Sequence, residues 1–287
     1  MGGIFWLASY PKSGNTWFRT FLSNYMSDSD VPVDINRLNV GKIASQRLWI
    51  DEVIGFDTSD LTQDEITSLR PDVYRWKHVD DEVSFHKIHD AYTHTREGRP
   101  LVDDVATVGA LYIIRNPLDV ALSYANHRGT DIDQAIAFMG DPEHALSRSV
   151  KALSQQLLQY MGTWSFHVRS WTEAPGLDVR VIRYEDMHTD PENTFAEAVE
   201  FLGLQSDPTR LERAIRFSSF DIMAAQEQQT GFRERPARAQ RFFRKGKAGD
   251  WQDTLTDAQI ARVVADHREI MTRFGYLDAR SQPVQDC

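Results

Sequence analysis

The sequence predicts an α/β fold in a single domain, with a central, mainly parallel sheet flanked by helices on both faces. Three observations lead to this prediction. Short apolar runs of strand length alternate with longer stretches of helical periodicity. The apolar runs are continuous, which is typical of strands buried on both faces of a parallel sheet. No internal repeat or low-complexity linker interrupts the pattern, so we expect one domain over residues 1–280 and a tail over 281–287.

The first strand, loop and helix occupy the beginning of the chain. Residues 4–10 form an apolar run that predicts a buried strand, and Pro11 ends it. A tight turn around Gly14 then leads into a helix, because apolar side chains recur at helical spacing from 17 to about 26.

The remaining elements follow from the same two signals. The predicted strands are 83–88, 108–114 and 179–182. The predicted helices are a short one after Thr62, 118–127, a long one over 149–172, one after Pro191, 208–216, and a last one ending near Gly275. Thr256 and Gln259 fit a capping box at the start of the last helix.

Composition and charge exclude several classes of protein. With 41% hydrophobic and 26% charged residues, the chain has the composition of an ordinary globular protein. The net charge of −10 argues against nucleic acid as a general partner, because duplex binding needs a basic surface. No apolar run reaches the roughly 18 residues of a membrane-spanning helix, and the first residues lack the pattern of a signal peptide. The single cysteine, Cys287, excludes an intrachain disulfide, so we expect a cytoplasmic protein.

The loop at 11–17 is the first candidate site. A strand-to-helix loop of this kind directs backbone N–H groups, the positive end of a helix and the Lys12 ammonium toward one spot, which suits a phosphate. A Walker A loop reads Gly-x-x-x-x-Gly-Lys-Ser/Thr, whereas here Lys12 precedes Gly14 and the first glycine is missing. The strand ends offer Arg115 and Tyr184 instead of a carboxylate for Mg²⁺. The loop predicts a site for an anion other than MgATP, the alternative being an ordinary turn.

Arg115 and Ser123 form the second candidate site. Arg115 comes at the carboxyl end of the strand 108–114, where open α/β sheets bind their ligands. Ser123 lies two turns along the following helix. Each has a structural alternative, a salt bridge for Arg115 and a bond to the helix backbone for Ser123.

The third candidate site lies at the end of the strand 83–88. Alternation along this strand puts Lys87 and His89 on one face and His86 on the other. A cation beside a histidine suits general-base chemistry near a developing anion, although a lone strand histidine is also a common packing residue. His78 and His94 complete a cluster of four histidines, but we do not favour a zinc site and expect no metal.

The fourth candidate site is the loop from 243 to 251. Gly246 and Gly249 let the backbone approach a ligand closely, while Arg244 and Lys245 supply positive charge for a phosphate.

Together these stretches resemble the cytosolic sulfotransferases that use 3′-phosphoadenosine 5′-phosphosulfate (PAPS). Pro-Lys-Ser-Gly-x-Thr-Trp at 11–17 is similar to the family's 5′-phosphosulfate loop, and Arg-Lys-Gly-x-x-Gly-Asp-Trp at 244–251 is similar to its C-terminal phosphate loop. Arg115 and Ser123 match its 3′-phosphate pair, and Lys87-x-His89 matches its catalytic Lys-x-His. Tyr-Glu-Asp-Met at 184–187 and Ser-Ser-Phe-x-x-Met at 218–223 resemble its adenine-side segments.

The resemblance implies a P-loop-like sulfotransferase fold and in-line sulfuryl transfer from PAPS, giving 3′-phosphoadenosine 5′-phosphate (PAP) without a metal. It implies that His89 removes the acceptor's proton, Lys12 stabilises the leaving phosphate, and Lys87 stabilises the migrating sulfuryl group. Trp17 and Phe220 are expected to sandwich the adenine. The residues implied to bind PAPS are Lys12, Ser13, Gly14, Asn15, Thr16, Trp17, Arg115, Ser123, Tyr184, Ser218, Phe220, Arg244, Lys245 and Gly246.

The sequence departs from the family's pattern in several places: Ser218 stands where the family commonly has threonine, and residues 27–80 and 128–150, where acceptor selectivity is expected, match no family motif. Asn15 replaces a common threonine in the first loop. The stretch after Trp251 lacks the dimerisation segment of many animal members, so the protein is expected to be a monomer or a homodimer of another kind.

The expected acceptor is a small molecule that carries a hydroxyl or, less favoured, an amine. The acidic net charge gives no support for a polyanionic glycan. The segment 226–243 is a candidate lid over the acceptor. Four aromatic residues either line an apolar acceptor pocket or belong to the core: Trp49, Trp76, Tyr92 and Phe138.

Two other functions compete with this interpretation. The opening loop taken alone suggests a P-loop kinase or NTPase. A non-catalytic nucleotide-binding protein on the same fold is the other alternative, which the presence of Lys12, Lys87 and His89 disfavours.

Overall fold

A computed structural model of the chain describes residues 2–76, 82–148, 153–236 and 238–284. The strands of this part are β1 (Gly3–Ser9), β2 (Lys42–Ile43), β3 (Val83–Ile88), β4 (Thr107–Ile114), β5 (Ala145–Leu146), β6 (Gln159–Tyr160) and β7 (Val179–Arg183). The helices are α1 (Asn15–Ser27), α2 (Arg47–Ile54), α3 (Gln63–Trp76), α4 (Pro117–Arg128), α5 (Ile132–Met139), α6 (Trp164–Thr172), α7 (Asp186–Thr189), α8 (Pro191–Phe201), α9 (Pro208–Phe217), α10 (Phe220–Thr230) and α11 (Asp257–Arg273).

Five strands form one sheet in the order β2-β3-β1-β4-β7. β1 pairs with β3 in parallel, from Gly3 opposite Val83 to Ala8 opposite Ile88, and β2 also pairs with β3 in parallel. β5 and β6 form a separate antiparallel pair. The predicted fold class, a central parallel sheet flanked by helices, is therefore confirmed.

The chain divides into two compact units, each assembled from three stretches. The first unit comprises Met1–Tyr10, Gly41–Tyr112 and Asp141–Val181, and the second comprises Pro11–Val40, Ile113–Gly140 and Ile182–Cys287. In the first unit, Trp6, Ile88 and Leu111 are completely buried. In the second, Phe21 stacks on Phe195 with ring centroids 4.1 Å apart. The boundary between a domain over 1–280 and a tail stays a prediction, and residues 285–287 with Cys287 lie outside the described residues.

Most predicted elements are present with small differences at their ends. The strands predicted at 83–88, 108–114 and 179–182 correspond to β3, β4 and β7, and α1, α4, α8 and α9 lie where helices were expected. The capping box of α11 is formed as predicted, because Gln259 N–H bonds to the Thr256 hydroxyl and the Gln259 side chain bonds back to Thr256 N–H.

The long helix predicted over 149–172 is wrong. Residues 149–152 lie outside the described residues, β6 occupies Gln159–Tyr160, and the helix begins only at Trp164. Thr163 sets this start, because its hydroxyl accepts a hydrogen bond of 3.0 Å from Phe166 N–H. The helical spacing of apolar residues extends upstream of Thr163, which is why the sequence pattern placed the start of the helix too early.

The stretch 27–80 contains more helix than predicted. The short helix expected after Thr62 is α3, which has 14 residues and includes Pro71. Its start is capped by Glu65, whose carboxylate accepts from Thr62 N–H at 2.8 Å. Four helices of the described residues were not predicted: α2 in this stretch, and α5, α7 and α10 elsewhere. In the part of the chain that the structure describes, no helix has the length and apolarity needed to cross a membrane.

Candidate functional site

The loop between β1 and α1 has two residues in the left-handed region. Lys12 has φ of 72° and Gly14, the N-cap of α1, has φ of 102°. A Cβ at Gly14 would lie 2.6 Å from Cδ2 of Tyr184, so the loop needs glycine both for its backbone and for its contact with this ring. These conformations bring the loop backbone close to the residue that follows β7.

The start of α1 has the polarity that suits an anion. Its N-cap is Gly14, and no side chain caps the helix. Asn15 and Thr16 are buried in the first turn. Ser13 is also buried, and its hydroxyl meets no hydrogen-bond partner among the described residues. An anion at this helix end would satisfy such groups.

The Lys12 ammonium lies over the ring of Phe242, with Nζ 3.8 Å from the ring centroid. Phe242 belongs to the segment predicted as a lid. Glu227 on α10 holds this segment, since its two carboxylate oxygens accept from Phe242 N–H at 2.7 Å and Phe243 N–H at 2.9 Å. The first five residues of the predicted lid, 226–230, are part of α10, and the mobility of the rest stays a prediction.

Arg115 connects two loops of the second unit. Its Nη1 donates to the carbonyl oxygen of Lys12 at 3.1 Å, and its Nη2 donates to that of Lys247 at 3.2 Å. The guanidinium also stacks over the ring of Tyr184, 4.1 Å from the centroid. The side chain is only 11% exposed. Arg115 therefore brings positive charge to the place where the first and the last predicted phosphate loops approach each other.

Glu185 fixes the residue that follows Arg115. Its Oε1 accepts from Asn116 N–H at 2.9 Å, and its Oε2 accepts from the hydroxyl of Tyr276 at 3.0 Å. Burial raises the pKa of Glu185 above its ordinary value, although the hydrogen bond from Asn116 opposes the shift.

Asp119 holds the last loop in place. This buried carboxylate on the first turn of α4 accepts from Gly249 N–H at 2.7 Å through Oδ2 and from Trp251 N–H at 3.0 Å through Oδ1. Its Oδ2 lies 3.9 Å from Nη2 of Arg115. One carboxylate thus ties the loop 244–251 to the helix that follows Arg115.

Arg244 and Lys245 both contact Asp250. Arg244 donates to it at 2.8 Å and Lys245 forms a closer ion pair with its other oxygen. Burial raises the pKa of Asp250, but the hydrogen bonds from Lys245 and Arg244 outweigh it and lower that pKa below its ordinary value. The two cations stay 39% and 44% exposed, so both can reach a ligand in solvent.

Gly246 lies against Phe220. Its φ is 60°, and a Cβ at this position would lie 1.9 Å from Cδ2 of the Phe220 ring. Phe220 and Trp17 both pack against one apolar cluster, formed by Ile35, Met223, Phe232 and Phe243. The two aromatic residues that were expected to face the adenine therefore share a cluster.

The remaining predicted cofactor residues also lie in the second unit. Ser123 is partly buried on α4. Ser218 is completely buried, and its hydroxyl donates to the carbonyl oxygen of Ile215 at 3.1 Å. The indole of Trp17 lies 4.6 Å from the ring of His188, a neighbour that the sequence did not indicate.

Lys87 and His89 belong to the first unit. Burial from His86 to His89 agrees with the predicted faces: His86 is buried and stacks on Trp49 at 4.4 Å, whereas Lys87 and His89 are partly exposed. Nδ1 of His89 lies 2.8 Å from the carbonyl oxygen of Ser9. Because a carbonyl oxygen only accepts, Nδ1 carries the proton, and the lone pair of the neutral ring is on Nε2.

The residues fit a ligand with negatively charged groups. Three buried polar atoms on predicted cofactor residues have no partner among the described residues: Ser13 Oγ, Trp17 Nε1 and Arg115 Nε. An unsatisfied buried polar group costs about 1–3 kcal/mol, and a ligand that bonds to these three atoms would offset that cost. Within the described part of the chain, no group of three or more His, Cys, Asp or Glu residues could hold a metal ion. His78 lies outside that part.

The sequence matches the family described as "Sulfotransferase domain" over residues 4–275. The chain belongs to the sulfotransferase family.

Curated relatives of this sulfotransferase are distant but align along its length. Rat sulfotransferase 2A6 is 25% identical, with 93% of this chain and 84% of the relative covered. Cytosolic sulfotransferase 17 of Arabidopsis thaliana is 23% identical, with 96% and 77% covered. The 3-alpha-hydroxysteroid sulfotransferase of the guinea pig, Cavia porcellus, is 25% identical, with 93% and 83% covered.

Solved structures support the fold. A mouse sulfotransferase complexed with PAP superposes with a TM-score of 0.60 at 20% identity, covering 94% of this chain and 84% of that one. A retinol dehydratase in complex with androsterone and the inactive cofactor PAP gives 0.58 at 17% identity, with 93% and 80% covered. The predicted family and its P-loop-like fold are confirmed.

The sequence did not indicate four residues that contact or support the predicted phosphate loops: Asp119, Glu185, Glu227 and Phe242. Asp119 and Glu185 lie inside recognised motifs, but they contact the backbone of Gly249 and of Asn116, which are distant along the chain. Glu227 gave no local signal. The only sequence clue to Asp119 is its place in the first turn of a helix. Acidic residues are common there because they interact favourably with the helix dipole, so this clue did not indicate a contact with the last loop.

Proposed function

We propose that this protein transfers the sulfuryl group of PAPS to a hydroxyl of a small-molecule acceptor, with His89 as general base. An amine is the less favoured acceptor. The observation that carries the proposal is the set of contacts that Arg115 makes with both predicted phosphate loops, beside buried donors that lack partners in the described part of the chain. Membership of the sulfotransferase family supports the reaction type, and relatives solved with PAP support the cofactor.

The residues fall into three roles in this proposal. Ser13 and the start of α1 bind the 5′ side of the cofactor, while Arg115, Ser123 and the loop that begins at Arg244 bind the 3′-phosphate. Trp17 and Phe220 are assigned to the adenine. The remaining PAPS contacts are assigned to Lys12, Gly14, Asn15, Thr16, Tyr184, Ser218, Lys245 and Gly246.

PAPS supplies an activated sulfuryl group and leaves as PAP. Nε2 of His89 accepts the proton of the acceptor's hydroxyl as the acceptor oxygen bonds to sulfur. The hydrogen bond from Nδ1–H to the Ser9 carbonyl oxygen fixes the tautomer in which Nε2 can accept this proton. Lys12 stabilises the negative charge that develops on the leaving phosphate oxygen when its bond to sulfur breaks. Lys87 is assigned to the charge on the sulfuryl group.

The acceptor and the cellular location are also proposals. The guinea-pig relative is named for 3-alpha-hydroxysteroids, which supports a hydrophobic alcohol as acceptor here. The plant relative is named as cytosolic, which supports a cytoplasmic location. We propose a monomer or a homodimer.

Calorimetry with two nucleotides tests the cofactor. We expect PAP to bind at least about ten-fold more tightly than AMP. AMP lacks the 3′-phosphate, so the positively charged donors assigned to that phosphate have no partner when AMP is bound. Equal affinities together with magnesium-dependent ATP hydrolysis would favour a P-loop NTPase instead.

A screen with radiolabelled PAPS tests the reaction. Phenols, hydrophobic alcohols and amines are offered in parallel, and we expect label to move to hydroxylated members. PAP binding without transfer to any acceptor would instead favour a non-catalytic nucleotide-binding protein.

A further inference from the structure

The segment that follows β3 is held at each of four consecutive residues. The Asp90 carboxylate accepts two hydrogen bonds from Arg70, at 2.8 and 2.9 Å, and both side chains are almost completely buried. Asp90 O accepts from the indole of Trp171 at 2.9 Å. The backbone N–H groups of the next two residues, 91 and 92, bond to Tyr160 O and to the Ser170 hydroxyl. His89 is thus the first residue of a rigid stretch.

The carbonyl of His89 is held by another histidine. Nε2 of His167, on α6, lies 2.9 Å from His89 O. Because this oxygen can only accept, Nε2 of His167 must carry a proton. His167 is completely buried, and its other nitrogen, Nδ1, lies 2.8 Å from the hydroxyl of Tyr112 on β4.

These contacts determine where the protons of His167 and Tyr112 lie. Burial lowers the pKa of His167 to about 4, against the raising effect of its bond to His89 O, so the ring is neutral near pH 7. A neutral ring with its proton on Nε2 has a lone pair on Nδ1, and the Tyr112 hydroxyl must therefore donate. Burial also raises the pKa of Tyr112 well above its ordinary value, so the hydroxyl keeps its proton. The chain of donation runs from Tyr112 through His167 to the carbonyl of His89.

We propose that Tyr112 and His167 are a positioning pair for His89, fixing its backbone while the Ser9 carbonyl fixes its ring. The proposal rests on the assignment of His89 as the general base. Neither residue belongs to the motifs singled out in the sequence, and neither is assigned a contact with substrate.

The physical reason for such a pair is the geometry that proton transfer demands. The ring of His89 is anchored through Nδ1 to the end of β1, and its main chain is anchored through the carbonyl to α6. One hydrogen bond therefore restrains the ring and another restrains the main chain, and Nε2 is the basic atom of the ring. Displacement of a catalytic group by about 1 Å can cost on the order of 100-fold in rate.

Three variants test the pair. His167→Leu removes the donor to His89 O, and we expect kcat to fall by about ten-fold or more. His167→Gln retains an N–H donor of similar reach and should recover most of kcat. Tyr112→Phe removes the hydroxyl that selects the tautomer of His167 and should lie between the two. KM for PAPS and the affinity for PAP should not change, because the assigned cofactor residues belong to the second unit.

Tyr25→Phe is the matched control. Like Tyr112→Phe it removes one buried tyrosine hydroxyl, but this hydroxyl donates to the backbone carbonyl of Gln205 in the second unit. Thermal unfolding and PAP binding establish that each variant is folded. A loss of kcat in Tyr25→Phe as large as that in Tyr112→Phe would show a general effect on stability and overturn the proposal.

Histidine-ring NMR gives a readout that is independent of activity. The wild-type protein should show His167 as the neutral Nε2–H tautomer, and the Nδ1–H tautomer would contradict the contact itself. An inactive His89→Ala variant together with a fully active His167→Leu variant overturns the positioning role alone. An active His89→Ala variant overturns the general-base assignment and the positioning role with it.

Discussion

The proposed phosphate cradle of the second unit, formed by Arg115 and the loops 11–17 and 244–251, differs from the support of His89 in the first unit in how exposed its charged side chains are. In the cradle, Arg244 and Lys245 are 39% and 44% exposed. In the support of His89, the Arg70 and Asp90 side chains are 1% and 2% exposed and fully paired. A cation that must exchange partners with a ligand stays near water, whereas a group that only fixes geometry is buried and satisfied.

The same contrast appears in the backbone. The cradle uses left-handed residues at 12, 14 and 246, which let main-chain atoms approach an aromatic ring or an anion. The support of His89 uses regular strand and helix, with buried hydrogen bonds from Tyr112, His167 and Trp171. Cradle residues can therefore be recognised as motifs, because backbone geometry restricts their identity locally.

Gly246→Ala should produce the largest effect on the cradle. The added methyl meets the Phe220 ring at 1.9 Å and the backbone is left-handed, so we expect a loss of about 1–3 kcal/mol in the free energy of unfolding and a weakening of PAP binding by ten-fold or more. Denaturant unfolding and calorimetry measure the two effects.

Gly203→Ala is the control for backbone strain alone. Its φ is 67°, but nothing lies within 4 Å of the added atom. It should cost about 1 kcal/mol in stability and leave PAP affinity unchanged. Equal effects of the two variants on PAP binding would remove the close-approach explanation.

Asp119→Asn should have a smaller effect. The carboxylate uses both oxygens for backbone N–H groups, and an amide replaces one oxygen with a donor that faces Gly249 or Trp251 N–H. We expect PAP to bind about ten-fold more weakly, with kcat at saturating PAPS retained.

Asp278→Asn is the matched control for that exchange. Asp278 also accepts from two backbone N–H groups, those of Arg280 and Gln282, but through one oxygen that asparagine keeps. It should bind PAP normally. If Asp119→Asn also bound PAP normally, the role of Asp119 in holding the last loop would be refuted.

The smallest effect concerns two buried histidines, His167 in the first unit and His267 in the second. Burial lowers the pKa of each to about 4, below the unfolded value near 6.5. Their contribution to stability is complete above about pH 6.5 and is lost as the pH falls toward 4, because the unfolded chain takes up the proton first.

His267→Gln should therefore flatten the pH dependence of stability by about 1.4 kcal/mol between neutral pH and about pH 5.5. Chemical unfolding at a series of pH values measures this, with PAP affinity unchanged near neutrality. A slope as steep as that of the wild type would show that His267 does not titrate on unfolding.

The sequence allowed prediction of the sheet, most helices and the family, because strand runs, caps and glycine positions leave local signals. The prediction failed at 149–172, where helical periodicity masked the helix start set by Thr163, and it missed α2, α5, α7 and α10. The supports at Asp119, Glu185 and His167 could not be predicted, since each acts through a backbone group distant along the chain.

The most direct test of the account is one preparation of His89→Ala, assayed for turnover with labelled PAPS and for PAP affinity by calorimetry. The proposed separation of the base from the cradle predicts that kcat falls by about 100- to 10,000-fold while the Kd for PAP stays at the wild-type value. Near-wild-type turnover, or a parallel loss of PAP binding, would contradict it.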